Sequence, residues 1–417
     1  FICFYEFIIL SKKGIRILTQ YFYPDVASTG QLLGELAFSL AAKGLNISAL
    51  TALPSYSYKI EARKSETFRN VKISRLWTTK LNKNTKLGQL LNSITFFLNI
   101  FFHLLFSSSK TPLLIVSNPP FLPVVGYFIK KLRNIDYIYL IHDVFPEKAH
   151  KLNYISEKSI FIKVWTYFDK KVLANASSVI VLSNKIKKVV ENKLEKYAVF
   201  VKDKVSVIHN WADGDFIKPL DKSLNTFLRK NNLSDKFIVQ YSGNIGVSYD
   251  LEVIIEAAKL IKEEDVVFLF IGDGVKKNKL EKLAQSSNLK NVIFLPYQSK
   301  AELPYSLTGP SVSIVTYESY LEGLLMPSKL YTTLAAGIPV IALCSNDSEV
   351  GRIIRDAKCG FVIEGNNVKE FYSSIMKIRS DAEVQKKLGT EARKYFEENF
   401  TLEIAVKKYY DVINSNF

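Results

Sequence analysis

Short apolar runs rich in β-branched and aromatic residues alternate with segments of helical period along the whole chain, a pattern that predicts parallel strands joined by crossover helices. In the first half, strands are expected at Ile15–Thr19, Ile47–Thr51, Leu113–Ser117, Asp136–Ile141, Ser178–Leu182 and Val205–His209, with a helix over Gln31–Lys43 closed by Gly44. After Asn210 and Trp211 comes a polar stretch, Ala212–Asp235, which reads as a connector into a second α/β unit. In that unit strands Phe237–Tyr241, Val266–Ile271, Val292–Leu295, Ser311–Val315 and Pro339–Leu343 interleave with helices Leu251–Ile261, Lys277–Ala284 and Ser328–Ala336. The final segment, Leu402–Ile413, has helical character. No short repeat or low-complexity segment interrupts the order, which disfavours solenoids and propellers.

Length and composition agree with two folded domains. The chain has 417 residues, 48% of them hydrophobic and 23% charged, the balance of a globular protein and not of a disordered one. Cys3, Cys344 and Cys359 are scattered without paired spacing, so neither a disulfide framework nor a zinc site is expected, and a reducing compartment is the natural reading. A formal net charge of +16 predicts attraction to an anionic partner, whether nucleic acid, phospholipid or a diphosphate. Nucleic acid is disfavoured, because no helix-turn-helix, zinc-finger or RNP pattern is present and the lysines are dispersed. Phe1–Leu10 is apolar but short for a membrane span and reads as a frayed or artefactual start. Leu87–Phe106 is the strongest apolar stretch, broken by Gln89, Asn92, Ser93, Asn99 and His103, and reads as a domain helix with a greasy outer face or an interfacial membrane patch.

In open parallel α/β sheets the ligand lies beyond the carboxyl ends of the strands, and the candidate chemistry clusters there. After the first strand, Thr29 and Gly30 precede a helix whose free N–H groups suit an anion or hydroxyl; simple capping by Ser28 or Thr29 is the alternative. After the strand Asp136–Ile141 comes HDVFPE, placing His142, Asp143 and Glu147 at a sheet mouth, either to orient hydroxyls and move protons or as structural groups. YSGNIG, with Ser242, Gly243, Asn244 and Gly246, lets backbone approach a phosphate closely. IGDG resembles a dinucleotide fingerprint, but Lys277 fills its third glycine position; Lys276, Lys277 and Lys279 are either phosphate contacts or a solvated helix start. In LEGLLMPSKLYTTLAAGIP, Glu322 and Lys329 bracket a Pro327–Ser328 helix start suited to sugar hydroxyls and a diphosphate. Asp213 and Asp215 form an Asp-x-Asp pattern that reads as turn chemistry rather than a metal site.

Taken together, YFYPDVASTGQLLGELAFSLAAKG, NPPFLPV, HDVFPE, NWADGDFIKPL, YSGNIG, FLFIGDG, NVIFLPYQSKAELP and EGLLMPSKLYTTLAAGIPVIA resemble, in order and over nearly the whole chain, glycosyltransferase family 4 of GT-B fold. The resemblance is strongest to the WbuB-type group associated with transfer of N-acetyl-fucosamine-like amino sugars to surface polysaccharides. It implies two Rossmann-like domains with parallel sheets facing a central cleft, an acceptor-binding domain over residues 1–209 and a donor-binding domain over 210–399, with a helix in 400–417 that packs back on the first. It further implies retaining, metal-independent transfer from a UDP-sugar co-substrate. His142, Asp143 and Glu322 would then be catalytic. Gly30, Ser242, Gly243, Asn244, Gly246, Lys277, Glu322, Pro327, Ser328 and Lys329 would hold the donor, and Thr29 and Glu147 the acceptor. The second acid of the family's Glu-x7-Glu signature is missing, Leu330 or Thr332 standing in its place, and the family's phosphate-binding Arg and Lys appear as Asn244 and Asp250; their role is shifted to Lys277 and Lys329. The expected setting is O-antigen or capsule synthesis on a polyprenyl-diphosphate-linked acceptor, by a cytoplasmic protein peripheral to the inner face of the membrane. A UDP-N-acetylglucosamine 2-epimerase of the same architecture is the competing reading.

Overall fold

The computed structural model describes residues 14–25, 27–54, 62–81, 85–198 and 203–417. The apolar start Phe1–Leu10 and Cys3 lie outside them. Two sheets are formed, each close to the expected order of elements. The first contains β1 (Gly14–Leu18), β2 (Asn46–Ala52), β3 (Ser65–Phe68), β4 (Val71–Leu76), β5 (Leu113–Val116), β6 (Tyr137–Ile141), β7 (Ser178–Val181) and β8 (Val205–Val207), in the spatial order β3-β4-β2-β1-β5-β6-β7-β8. Only β3 is shown running antiparallel to its neighbour. The second sheet contains β9 (Phe237–Ser242), β10 (Val266–Ile271), β11 (Val292–Leu295), β12 (Val312–Thr316), β13 (Val340–Leu343) and β14 (Gly360–Ile363), all parallel, in the order β11-β10-β9-β12-β13-β14.

The strands are legible in the sequence because helices cover both faces of a parallel sheet, so the strands are apolar throughout. All six residues of β10 are buried. The β3–β4 hairpin escaped the sequence reading. Its strands are short and half polar, and its turn uses Arg69 and Asn70 at φ 47° and 62° instead of a glycine-bearing dipeptide.

Packing groups the chain into two compact units that are discontinuous in sequence. One holds residues up to Ile141 with Lys170–Ile180 and Val406–Phe417; the other holds His142–Asp169 and Val181–Ala405. The expected connector Ala212–Asp235 belongs to the second unit. Phe227, Leu228 and Leu233 are buried there with Ile238, Val267, Leu269 and Ile271, so the stretch covers one face of β9 and β10. Asp213 turns its carboxylate onto the amides of Asp215 (3.0 Å) and Phe216 (2.9 Å), the turn chemistry expected of it. Among the described residues no group of three or more His, Cys, Asp or Glu is placed to hold a metal ion.

The apolar stretch near residue 90 forms one helix, Lys86–Leu105, capped by the Thr85 hydroxyl, which accepts from the Gly88 amide. Phe96, Ile100 and Leu104 are buried, while Leu87, Leu90, Leu91, Ile94, Leu98 and Phe102 are exposed. Asn92 does not break the helix: its side chain bonds both the amide and the carbonyl of Leu81 at 3.0 Å. No helix among the described residues is long and apolar enough to cross a membrane.

Candidate active site

Two glycine turns at the carboxyl ends of β9 and β10 are locked together. The Gly243 amide donates to Ile271 O (2.8 Å), the Ile245 amide to Asp273 O (2.9 Å) and the Lys276 amide to Ile245 O (3.0 Å). A Cβ on Gly272, at φ 145°, would stand 1.9 Å from Gly243 O, and one on Gly274, at φ 154°, would stand 2.4 Å from Ile245 O. Only glycine fits either position. Ser242 and Gly243 are half-buried at the strand end, Asn244 is exposed beyond them, and Gly246 is buried. The Asn244 carbonyl accepts the Tyr241 hydroxyl at 2.7 Å, which holds the turn from below.

Lys329 reaches this turn from the segment after β12. Its Cε and Nζ lie 3.5 Å from where a Gly243 Cβ would be. The amine sits 3.4 Å from the centroid of the Tyr241 ring and 4.4 Å from that of Tyr249. It is shielded from solvent and has no hydrogen-bond partner among the described residues. Burial pushes its pKa well below the ordinary lysine value. Two aromatic faces favour the ammonium by about 2 kcal/mol each at most, whereas removing such an ion from water costs several kcal/mol. Desolvation therefore outweighs the ring contacts at this amine.

Two amides of the helix start after Pro327 are engaged locally. The helix Lys329–Ala335 has seven residues, and the Leu330 and Tyr331 amides are already spent on Pro327 O (3.3 Å) and Ser328 O (3.2 Å). Pro327 is buried and Ser328 half-buried at its start. The Gly243 turn and the Lys329 amine lie side by side at this strand end.

Lys276 and Lys277, which follow IGDG, are both half-buried. Lys277 lies on the helix Lys277–Ser286 and faces Glu281 at 3.9 Å. The Lys276 amine donates to Tyr249 O (2.7 Å), Glu318 (2.9 Å) and Glu252 (3.1 Å). Burial raises the Glu252 carboxyl, but bonds from Lys279 and Lys276 outweigh it and hold the group down at about 2. The Glu318 amide donates to Ser248 O at 3.0 Å. Lys276 and Glu318 thereby fix Tyr249 against Lys329. Sequence reasoning missed Tyr249 and Glu318, and their spacing carries no signal that would have found them.

The HDVFPE segment joins the same unit. The Val144 amide donates to Leu324 O at 2.9 Å, tying the loop to the turn that carries Glu322. That turn needs Gly323 at φ 75°. The Glu322 carboxylate lies 3.4 Å from Lys185 Nζ, at the start of the helix Asn184–Lys196, a residue that sequence reasoning also missed. Asp143 pairs with Lys148 at 2.8 Å. Burial pushes the His142 imidazole down to about 4 against the opposing pull of Asp143, so the ring is neutral at pH 7 and offers one donor and one acceptor. Glu147 is committed to Lys193 at 2.9 Å; Lys193 also holds Phe145 O (2.9 Å) and Asp169 (2.7 Å). Glu147, 36% exposed, thus stands at the edge of a network that also holds the loop.

Thr29 and Gly30 belong to the first unit. Its helix begins at Ser28, so both residues lie in the first turn and not before it. Gly30 is required by packing, since a Cβ would stand 3.2 Å from Tyr21 C and Phe22 N.

Residues 225–395 match the family described as glycosyl transferases group 1. The chain is 26% identical over 402 residues, 93% of its own length and 96% of the relative's, to the colanic acid biosynthesis glycosyl transferase WcaI of Escherichia coli strain K12. Its fold is similar to sucrose-phosphate synthase from Thermosynechococcus elongatus, with a TM-score of 0.77 over 97% of this chain and 98% of that one at 17% identity. It is similar also to Anabaena HepE in complex with UDP-glucose, with a TM-score of 0.72 over 96% and 99% of the two chains at 14% identity. The chain is a glycosyltransferase of GT-B fold, with a glycosyl transferases group 1 domain at residues 225–395.

Proposed function

We propose that the enzyme transfers an N-acetylated amino sugar from a UDP-linked donor to a lipid-linked saccharide during surface-polysaccharide synthesis, as in the WbuB-type group, with retention of configuration and without a metal ion. The observation that carries the donor half of this reading is the Lys329 amine, buried without a partner beside the Gly243 turn. A diphosphate lying against that turn would meet one ammonium, and the developing negative charge on the departing UDP would be met there. The UDP-glucose named with HepE and the colanic acid named with WcaI are in keeping with this class of donor and product. Glu322 would hold sugar hydroxyls, and His142, as a neutral imidazole, would hydrogen-bond the transferred sugar beside Asp143. Ser242, Asn244, Gly246, Pro327 and Ser328 would shape the donor pocket around these groups. In the transfer, the bond from the anomeric carbon to the β-phosphate oxygen breaks, the acceptor oxygen bonds that carbon, and the acceptor's proton leaves with UDP.

The acceptor half rests on the exposed apolar face of the helix Lys86–Leu105 and the net charge of +16, which together suit an anionic membrane surface at the cytoplasmic face. The deciding experiment incubates the protein with UDP-N-acetylglucosamine, with and without a polyprenyl-diphosphate saccharide, and follows UDP and glycolipid. Glycolipid formed with UDP only when acceptor is present is the expected result. UDP release with an epimerised sugar and no acceptor requirement would overturn it. Lys329→Ala should lower turnover roughly 100-fold, and near-wild-type turnover would remove the diphosphate assignment.

A further inference from the structure

We propose that Lys329 takes up a proton as the donor's diphosphate arrives, so that the ammonium facing the leaving group exists in the occupied enzyme and not in the empty one. This rests on the donor reading above and specifies how its central charge is supplied. Lys329 Nζ is enclosed, makes no hydrogen bond among the described residues, and lies 3.4 Å and 4.4 Å from the ring centroids of Tyr241 and Tyr249. Tyr241 comes from β9, and its hydroxyl is spent on Asn244 O; burial raises its pKa, so it brings no negative charge. Tyr249 comes from the loop beyond β9 and presents its carbonyl to Lys276. The nearby carboxylates on the elements around that loop are Glu252 and Glu318, and both are bonded to Lys276. Asp250, in the same loop, has its carboxyl raised by burial and by its acidic neighbours Glu318 and Glu252. Burial is the cause that holds the amine down, with no carboxylate acting against it.

A diphosphate on the Gly243 turn changes this balance. It would bring negative charge near Nζ, which lies 3.5 Å from where a Cβ on Gly243 would stand, and an adjacent anion favours the protonated form. The amine takes its proton from solvent, and no other bond changes. Linkage fixes the sign. Between the amine's value in the empty and in the occupied site, binding weakens up to about tenfold for each pH unit of rise, and below the empty-site value it is flat.

Calorimetry of UDP-glucose binding to the full chain at pH 8, in HEPES and in Tris, reads the proton directly, because the two buffers release protons with different heats and this diphosphate ester has none to exchange there. The expected result is a buffer-dependent heat equivalent to about one proton taken up per ligand, lost in Lys329→Arg, whose guanidinium stays charged throughout. Equal heats in the two buffers for the wild type, or uptake persisting in Lys329→Arg, would overturn the proposal. Should that variant fold poorly, the wild-type affinity between pH 7 and 9.5 decides alone: it must fall as pH rises, and a flat profile sinks the idea. If UDP and UDP-glucose do not bind at any pH, the donor reading itself fails and takes this inference with it.

Discussion

At Gly272 the backbone stands at φ 145°, and a methyl group would meet the Gly243 carbonyl at 1.9 Å. Gly272→Ala combines a strained dihedral with a collision against backbone, so it should destabilise the second unit by about 2 kcal/mol or more and weaken UDP affinity with it. Thermal unfolding with and without UDP checks both effects, and an unchanged midpoint contradicts the turn geometry. His142 supplies a pH effect at the same scale. Its folded value of about 4 lies below the ordinary 6.5, so the unfolded chain binds the proton more readily between these values. Stability from this source is complete above about pH 6.5 and is lost as the pH falls toward 4. Urea unfolding at pH 4.5 and 7 should show about 2 kcal/mol more loss in the wild type than in His142→Gln.

Among the elements, the helix Asn184–Lys196 does more than cover the sheet. Lys193, buried on that helix, holds Glu147, Asp169 and the Phe145 carbonyl. Lys193→Met should cost about 3–5 kcal/mol, because the buried Asp169 carboxylate loses its cation. Pairing it with Asp169→Asn should recover part of that loss; a purely additive double variant would mean the residues do not act together. These couplings also mark what could be foreseen. β10 stands out as an unbroken apolar run and β9 and β12 as mostly apolar ones, and glycines following β9 and β10 mark the turns. Lys329 is visible as a lysine at a helix start. That Lys276 bonds carboxylates 24 and 42 residues away, Glu252 and Glu318, is something no local pattern encodes. That the Leu330 and Tyr331 amides are used within the first turn after Pro327 is likewise a matter of local geometry that the residue types do not mark.

For the whole molecule, the +16 charge and the outward apolar side chains of Lys86–Leu105 predict association with lipid. Flotation with vesicles containing anionic phospholipid should recover the protein at low salt and lose much of it as ionic strength shortens the reach of charge. Leu98→Glu with Phe102→Glu should reduce binding at least tenfold, since each exposed side chain buried in the interface is worth about 1.5–3 kcal/mol; equal recovery of variant and wild type would place the contact elsewhere. The bond from Val144 to Leu324 has a consequence for dissecting the enzyme, because the two residues are remote in the gene and neighbours in the second unit. A fragment starting at residue 210 would forfeit His142, leave Glu322 without Lys185, and strip the Leu324 carbonyl of its donor. Bisected genes should therefore complement only when both pieces are co-expressed, and the donor-side piece made alone should be poorly soluble.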